Sequence, residues 1–204
     1  IFHLLLARKF KIRLPVTILN IGGIANVTCI KNNKKENKDI ALDIGPGNCL
    51  LDQWMRKKSK KRYDKNGKIA QTGKINQVIL KKAFNNWVEE FKKKSSKKII
   101  FFLKSHDISD YNHNFVNKLS LKDGAATLTE YTAQIYAYFI NKIVSQKNLA
   151  TYYPKEIIVC GGGRKNKSLM KSLNKKISCG LSKIDRFGIN GDFVESQAFA
   201  YLAI

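Results

Sequence analysis

The sequence predicts an α/β domain: a mixed sheet with helices on both faces. Three observations carry that expectation. Three short β-branched runs, Val16 to Ile21, Asn26 to Ile30 and Ile40 to Ile44, follow one another with turn residues between them, as in an antiparallel meander. Helical and strand-like segments then alternate to the C-terminal end. A glycine-containing turn follows three of the strands: Gly22-Gly23, Gly45-Pro46-Gly47-Asn48 and Gly161-Gly162-Gly163.

Each element has its own reason. The chain opens on Ile1-Phe2-His3-Leu4-Leu5-Leu6-Ala7-Arg8, which reads as the middle of a helix, so the expectation is the C-terminal part of a longer protein. Pro15 ends that pattern. The three strands follow, the second and third separated by a polar turn from Lys31 to Lys38. Gly45-Pro46-Gly47-Asn48 closes the third strand and opens a helix, Cys49 to Arg56, with Leu50, Leu51, Trp54 and Met55 on its apolar side. A lysine-rich stretch leads to a helix over about Ile75 to Phe91, then a short strand at Ile99 to Leu103 and a polar loop. A long helix, about Ala125 to Ser145, carries Leu128, Tyr131, Ile135, Tyr138 and Phe139 at three- and four-residue spacing and ends in a Gln-Lys-Asn turn. Last come a strand at Ile157 to Cys160, the glycine triplet, a helix from Asn166 to Ile177, a strand at Leu181 to Asp185 and a helix from Asp192 to Ala203.

Composition removes several classes of function. With 204 residues and 44% hydrophobic content, the chain can bury a core, so it is folded rather than disordered. Its long apolar runs, such as Ile99-Ile100-Phe101-Phe102-Leu103, fall far short of the ~20 residues a membrane-spanning helix needs. The net charge of +23 would suggest nucleic acid, but only six of the 38 basic residues are arginines. The lysines are scattered, without the aromatic interleaving that stacks bases, so they read as a solvated surface and no nucleic-acid partner is expected. Cys29, Cys49, Cys160 and Cys179 form no C-x-x-C pair and have no histidine at ligand spacing, which points away from a metal site and towards a reducing, cytoplasmic compartment. The first residues lack the layout of a signal peptide.

The turns are where the chemistry concentrates. Asn20-Ile21-Gly22-Gly23-Ile24-Ala25-Asn26 is either an ordinary hairpin or a turn whose backbone amides approach a phosphate. Gly161-Gly162-Gly163 sits after a strand and before a helix, where open α/β sheets bind ligands, although a tight connection would use the same residues. Leu42-Asp43-Ile44-Gly45-Pro46-Gly47-Asn48 places a carboxylate at a strand end beside a helix N-terminus. Asp43 is there either a general base or a turn cap. Asp52, one helical turn further, either supports the turn or is solvated.

Together these segments resemble the anhydro-N-acetylmuramic acid kinases, sugar kinases of the actin- and hexokinase-like superfamily. The matching pieces run in family order. They are Phe2-His3 before Leu5-Leu6-Ala7, the Asn20 to Thr28 segment, Asp43 to Asn48 with Leu51-Asp52-Gln53-Trp54, Tyr63 to Gly67, Thr72-Gly73-Lys74, and Lys104-Ser105. Ala126 to Glu130, Cys160 to Gly163 with Asn166 and Leu169-Met170, and Glu195 before Ala198-Phe199-Ala200 complete the set. Three departures stand out: Ile44 replaces the family's usual Thr, the segment at Ser105 to Ile108 lacks the family's Gly-Arg-Glu, and the family's N-terminal domain lies upstream of Ile1.

The resemblance implies a ribonuclease-H-like lobe, residues 1–204 forming the C-terminal lobe of a two-lobed enzyme. It implies one reaction in which ATP phosphorylates O6 while water opens the 1,6-anhydro bridge, giving N-acetylmuramic acid 6-phosphate in cell-wall recycling. ATP and Mg2+ are the implied cofactors, an amino sugar the partner, and a homodimer the implied assembly of the full-length enzyme. Asp43 matches the catalytic aspartate. Asn20, Gly22, Gly23 and Asn26 match the second phosphate loop; Gly45, Gly47 and Asn48 the turn beside the base; Gly161, Gly162, Gly163 and Asn166 the adenosine-side loop. Glu195 and Glu130 match acidic positions near the sugar. One lobe alone has half the cleft and is expected to be inactive. The alternatives are another sugar kinase or ATPase of the superfamily, or a non-catalytic nucleotide- or polyanion-binding lobe.

Overall fold

The computed structural model describes residues 2–31, 40–95, 105–144 and 156–203. Its centre is a five-stranded sheet in the order β3-β2-β1-β4-β5, built from β1 (Val16–Ile21), β2 (Ile24–Ile30), β3 (Ile40–Pro46), β4 (Glu156–Cys160) and β5 (Gly180–Lys183). β1, β2 and β3 pair antiparallel, while β4 joins β1 and β5 joins β4 in parallel. An antiparallel meander extended by two parallel strands is the ribonuclease-H-like arrangement expected above. A parallel neighbour needs a long crossover, and residues 49–144 supply the helices that make it.

Strand side chains alternate between two cores. Leu19 and Ile21 of β1, with Ile157 and Val159 of β4, face the larger core beneath α2 (Cys49–Lys58), α3 (Lys68–Thr72), α4 (Gln77–Ser95), α5 (Leu121–Tyr138) and α6 (Lys167–Asn174). Val16, Ile18, Ile158 and Cys160 face a smaller core closed by Leu6 and Ala7 of α1 (Phe2–Lys9) and Val194 of α7 (Val194–Leu202). Every residue of β1 is buried, as expected of a central strand. α5 is the spine of the larger core, starting at the Ser120 cap, whose hydroxyl accepts from the Asp123 amide. Tyr136 of α5 donates from its hydroxyl to the Pro46 carbonyl at 2.7 Å, fixing the end of β3 to this spine.

Several boundaries differ from expectation. The long helix starts at Leu121 rather than Ala125 and passes into a π-helical stretch, Phe139–Val144. The helix expected from Asn166 starts at Lys167, because Asn166 is its cap, and ends at Asn174. The last strand ends at Lys183, where Ile184 turns into the smaller core. The strand expected at Ile99 to Leu103, Lys104, the Gln-Lys-Asn turn and residues 32–38 lie outside the described residues. No helix among the described residues is long and apolar enough to cross a membrane.

Candidate active site

The register places the expected residues in one row. Asp43 of β3 pairs with Asn26 of β2, Asn26 with Asn20 of β1, and Asn20 with Cys160 of β4. Cys160 leads directly into the glycine triplet, so both sides of the row end in a glycine turn. The row is bent on purpose at β3. Ala25 pairs with Gly45 and Asn26 with Asp43, which leaves Ile44 as the extra residue of a bulge. A bulge re-aims the side chains beside it, and here the re-aimed side chain is Asp43. Ile44, the residue that replaces the family's Thr, is buried in the larger core.

The three turns meet. The amide of Gly47 donates to the Gly23 carbonyl at 2.9 Å and that of Asn48 to the Gly22 carbonyl at 2.8 Å. The Asn48 side-chain amide adds a bond to Gly22 O at 3.0 Å. A Cβ on Gly47 would stand 2.2 Å from Gly22 O, so only glycine permits this approach. The triplet closes the third side: Gly161 has φ +77°, and a Cβ there would stand 2.5 Å from the Asn20 side-chain oxygen. The three turns thus close up beside the N-terminus of α2, an end that favours anions.

Asp43 is held from one side. Its Oδ2 accepts from the His106 amide at 2.9 Å and from the Ser105 hydroxyl at 3.3 Å. His106 Nδ1 in turn lies 2.6 Å from the Tyr111 hydroxyl, and burial pushes that phenol above its usual range, so it stays protonated. Ile108 of the same segment packs on Gly23, its Cδ1 3.3 Å from where a Cβ would be. Residues 105–111 therefore cover both the carboxylate and the first glycine turn. A capping box between Asp107 and Asp110 keeps this segment in shape.

Other expected residues take varied positions. Glu195, on the first turn of α7, brings Oε2 to within 3.4 Å of the Cβ position of Gly22, so it stands at the turns. Glu130 does not: its carboxylate accepts from Ser172 at 2.5 Å and pairs with Lys176 at 2.5 Å, a link between α5 and the C-terminal end of α6. Asn166 is buried and caps α6, accepting from the Leu169 amide at 3.0 Å. Asp52 is half-buried on α2, its carboxyl pushed up to about 6 by burial, with Arg56 opposing and Asp64 adding to the rise. His3 lies against β2, Nδ1 2.7 Å from the Thr28 hydroxyl, and burial lowers its pKa to about 4. Cys160 donates to the Asn20 oxygen at 3.6 Å, its thiol pushed up to about 12 by burial.

Three contacts were not legible in the sequence: the His106 amide on Asp43, Ile108 on Gly23, and a buried arginine, Arg164, behind the triplet. All three connect segments with no periodic relation, and only the Lys-Ser pair before His106 gave any signal. A cavity of about 290 Å³ is lined by Asp43 and His106 together with Trp87, Phe91, Tyr111, Phe115 and Tyr131, so the carboxylate borders it. Among the described residues no group of three or more His, Cys, Asp and Glu could hold a metal ion.

Comparison with known proteins identifies the family. The chain is 46% identical over 208 residues to the anhydro-N-acetylmuramic acid kinase of Pelagibacter ubique, covering all of this chain and 52% of that protein. It is 37% identical over 192 residues to that of Zymomonas mobilis, covering 93% of this chain and 47% of the relative. The chain thus spans about half the length of the curated relatives it matches. Among solved structures it is similar to an activator of 2-hydroxyisocaproyl-CoA dehydratase from Clostridium difficile with bound ADPNP, at 15% identity over 95% of this chain and 65% of the other, a likeness too slight, at a TM-score of 0.49, to bear on function. The family model for anhydro-N-acetylmuramic acid kinases matches residues 1–204. With that match along its whole length, the chain belongs to the anhydro-N-acetylmuramic acid kinase family.

Proposed function

We propose that this chain is the C-terminal lobe of an ATP-dependent kinase that opens the 1,6-anhydro bridge of anhydro-N-acetylmuramic acid and phosphorylates O6. The observation that carries the reading is Asp43, re-aimed by a bulge beside two interlocked glycine turns and held through Oδ2 alone among the described contacts. That arrangement leaves Oδ1 for a water molecule. Asp43 takes the proton as water attacks the anomeric carbon; the bond from that carbon to O6 breaks, and O6 attacks the γ-phosphorus as ADP leaves.

The residues serve this chemistry in defined roles. Amides of Gly23, Gly162 and Gly163, with the side chains of Asn20 and Asn26 beside them, bind phosphate oxygens and orient the nucleotide, while Gly22, Gly47, Asn48 and Gly161 hold the turns in shape through their own hydrogen bonds. Glu195 beside Gly22 faces the sugar. Asn166 acts from behind the triplet as a helix cap, and Glu130 as a tie between helices. A Mg2+ ion bound with ATP would neutralise charge on the phosphates, which supply most of its ligands. Among the described residues Asp43 and Glu195 bring carboxylates to the turns, and one or two carboxylates beside phosphate oxygens are a donor set that fits such an ion. A second lobe completes the cleft, and cysteines spread along the chain with no C-x-x-C spacing support a reducing, cytoplasmic setting.

The test is a substrate panel on the enzyme that carries this chain, with ATP and either 1,6-anhydro-N-acetylmuramic acid or ordinary hexoses and amino sugars. Formation of N-acetylmuramic acid 6-phosphate from the anhydro sugar is the expected result. Preferential phosphorylation of another sugar, or none at all, would overturn the reading.

A further inference from the structure

Behind the glycine triplet lies a buried cation that the chemistry above does not use. Arg164 is 3% exposed, yet every face of its guanidinium that the structure describes is engaged. Nε and Nη2 donate to Asp185 Oδ2 and Oδ1 at 2.7 and 2.8 Å, a bidentate fork. Nη1 donates to Asp192 Oδ1 at 2.6 Å and to the Gly161 carbonyl at 3.0 Å. Three separate segments therefore converge on one side chain: the triplet turn, the 3-10 turn after β5, and the loop leading into α7.

The backbone follows the same path. The Gly161 amide donates to Gly191 O at 2.9 Å, and a Cβ on Gly191 would stand 2.4 Å from Arg164 Nε, so the loop presses directly on the guanidinium. Asp192 also pairs with Lys165, next to Arg164 in sequence. Both carboxylates are held below their usual range, chiefly by the hydrogen bonds from Arg164. Three residues after Asp192, Glu195 meets Gly22. The triplet that faces the nucleotide and the helix that carries Glu195 to the first glycine turn are thus joined through a single arginine.

We infer that Arg164 is a positioning residue that couples the two walls of the site, setting the glycine triplet and Glu195 in register through Asp185 and Asp192. A lysine could satisfy one carboxylate as a point charge, but neither the fork nor the Gly161 carbonyl at the same time. The inference deepens the kinase reading and, in its kinetic part, rests on it.

The experiment uses Arg164→Lys and the near-isosteric Asp192→Asn, whose side chain is partly exposed and tolerates the change better. Steady-state kinetics of the enzyme carrying this chain should show a rise in KM for ATP together with a fall in kcat, each on the order of tenfold or more, because loosened positioning is read directly in rate. A role limited to stability would lower the melting temperature and leave both constants within twofold, which would overturn the inference. Hydrogen exchange on the same variants needs no kinase activity. In Asp192→Asn, amides of residues 161–163 and 194–198 should both exchange faster; acceleration confined to 194–198 would show that no link exists. If the parent enzyme transfers no phosphate, the functional reading fails, and the exchange result still decides the coupling.

Discussion

The side-chain amide of Asn48 donates to the carbonyl oxygen of Gly22 at 3.0 Å and reaches that of Ile21 at 3.4 Å, so the turn after β3 is bolted to the turn between β1 and β2. Two turns that are 22 residues or more apart in sequence become one amide-lined surface. Removing the bolt with Asn48→Ala should cost about 1 kcal/mol of stability, the net value of a hydrogen bond. If that loss falls on the cradle, nucleotide affinity drops roughly fivefold. Calorimetric titration with a non-hydrolysable ATP analogue checks this, and unchanged affinity would place the phosphates elsewhere.

Close backbone approach makes a second prediction. Gly47→Ala drives a methyl group to within 2.2 Å of Gly22 O, where only backbone can yield. Destabilisation of about 1–3 kcal/mol is expected, as for other overpacked sites. Gly188→Ala is the comparison, since Gly188 has φ +75° but nothing within 4 Å of its Cβ position. Its cost is the conformational one alone, of order 1 kcal/mol. Urea denaturation of both variants should rank Gly47→Ala as the worse in stability and the only one to lose nucleotide binding.

Asp52 offers a pH test with a defined sign. Its folded pKa, about 6, lies above the unfolded value, so the folded state binds the proton more tightly and the ionised form costs stability. That cost is absent below about pH 4, grows as the pH rises to 6, and is complete above it. Asp52→Asn should therefore stabilise the protein at pH 7–8, by about 1 kcal/mol once solvent screening of a half-exposed group is allowed for. The gain should vanish at pH 4. Thermal melts across this range read it directly, and a gain independent of pH would contradict the assignment.

His3 acts in the opposite direction. Burial lowers its pKa to about 4, below the ordinary 6.5, so its neutral form is favoured in the fold. Its contribution is fully present above about pH 6.5 and is lost as the pH falls towards 4. His3→Gln, which cannot titrate, should flatten the acid limb of the stability curve between those values. An unchanged limb would mean that the acid sensitivity resides in other groups.

Much of this architecture was readable in the chain, for physical reasons that differ by element. β-branched runs punctuated by Gly22-Gly23 made the meander visible, and the glycine turns stood out because few other residues fit such turns. Trp54 and Tyr131 fell on helical faces by their spacing. What escaped was non-periodic. Ile44 gave no hint that it was a bulge residue, since it continues an apolar run. Arg164 read as one basic residue among 38, yet it is buried because Asp185 and Asp192, 21 and 28 positions later, fold back onto it. Glu130 matched an acidic family position by sequence, while its carboxylate is engaged by Ser172 and Lys176, a contact between helices that no local pattern announces.

The account's central claim is that Asp43 takes a proton from the attacking water. The direct measurement is a single-turnover assay of Asp43→Asn in the enzyme carrying this chain, following ring opening and phosphate transfer together, with nucleotide binding measured alongside. Both chemical steps should fall by about 10²–10⁴-fold, the usual worth of a general base, while nucleotide affinity stays near that of the parent. Sugar 6-phosphate formed at the parent rate would contradict the claim and move the base to another residue.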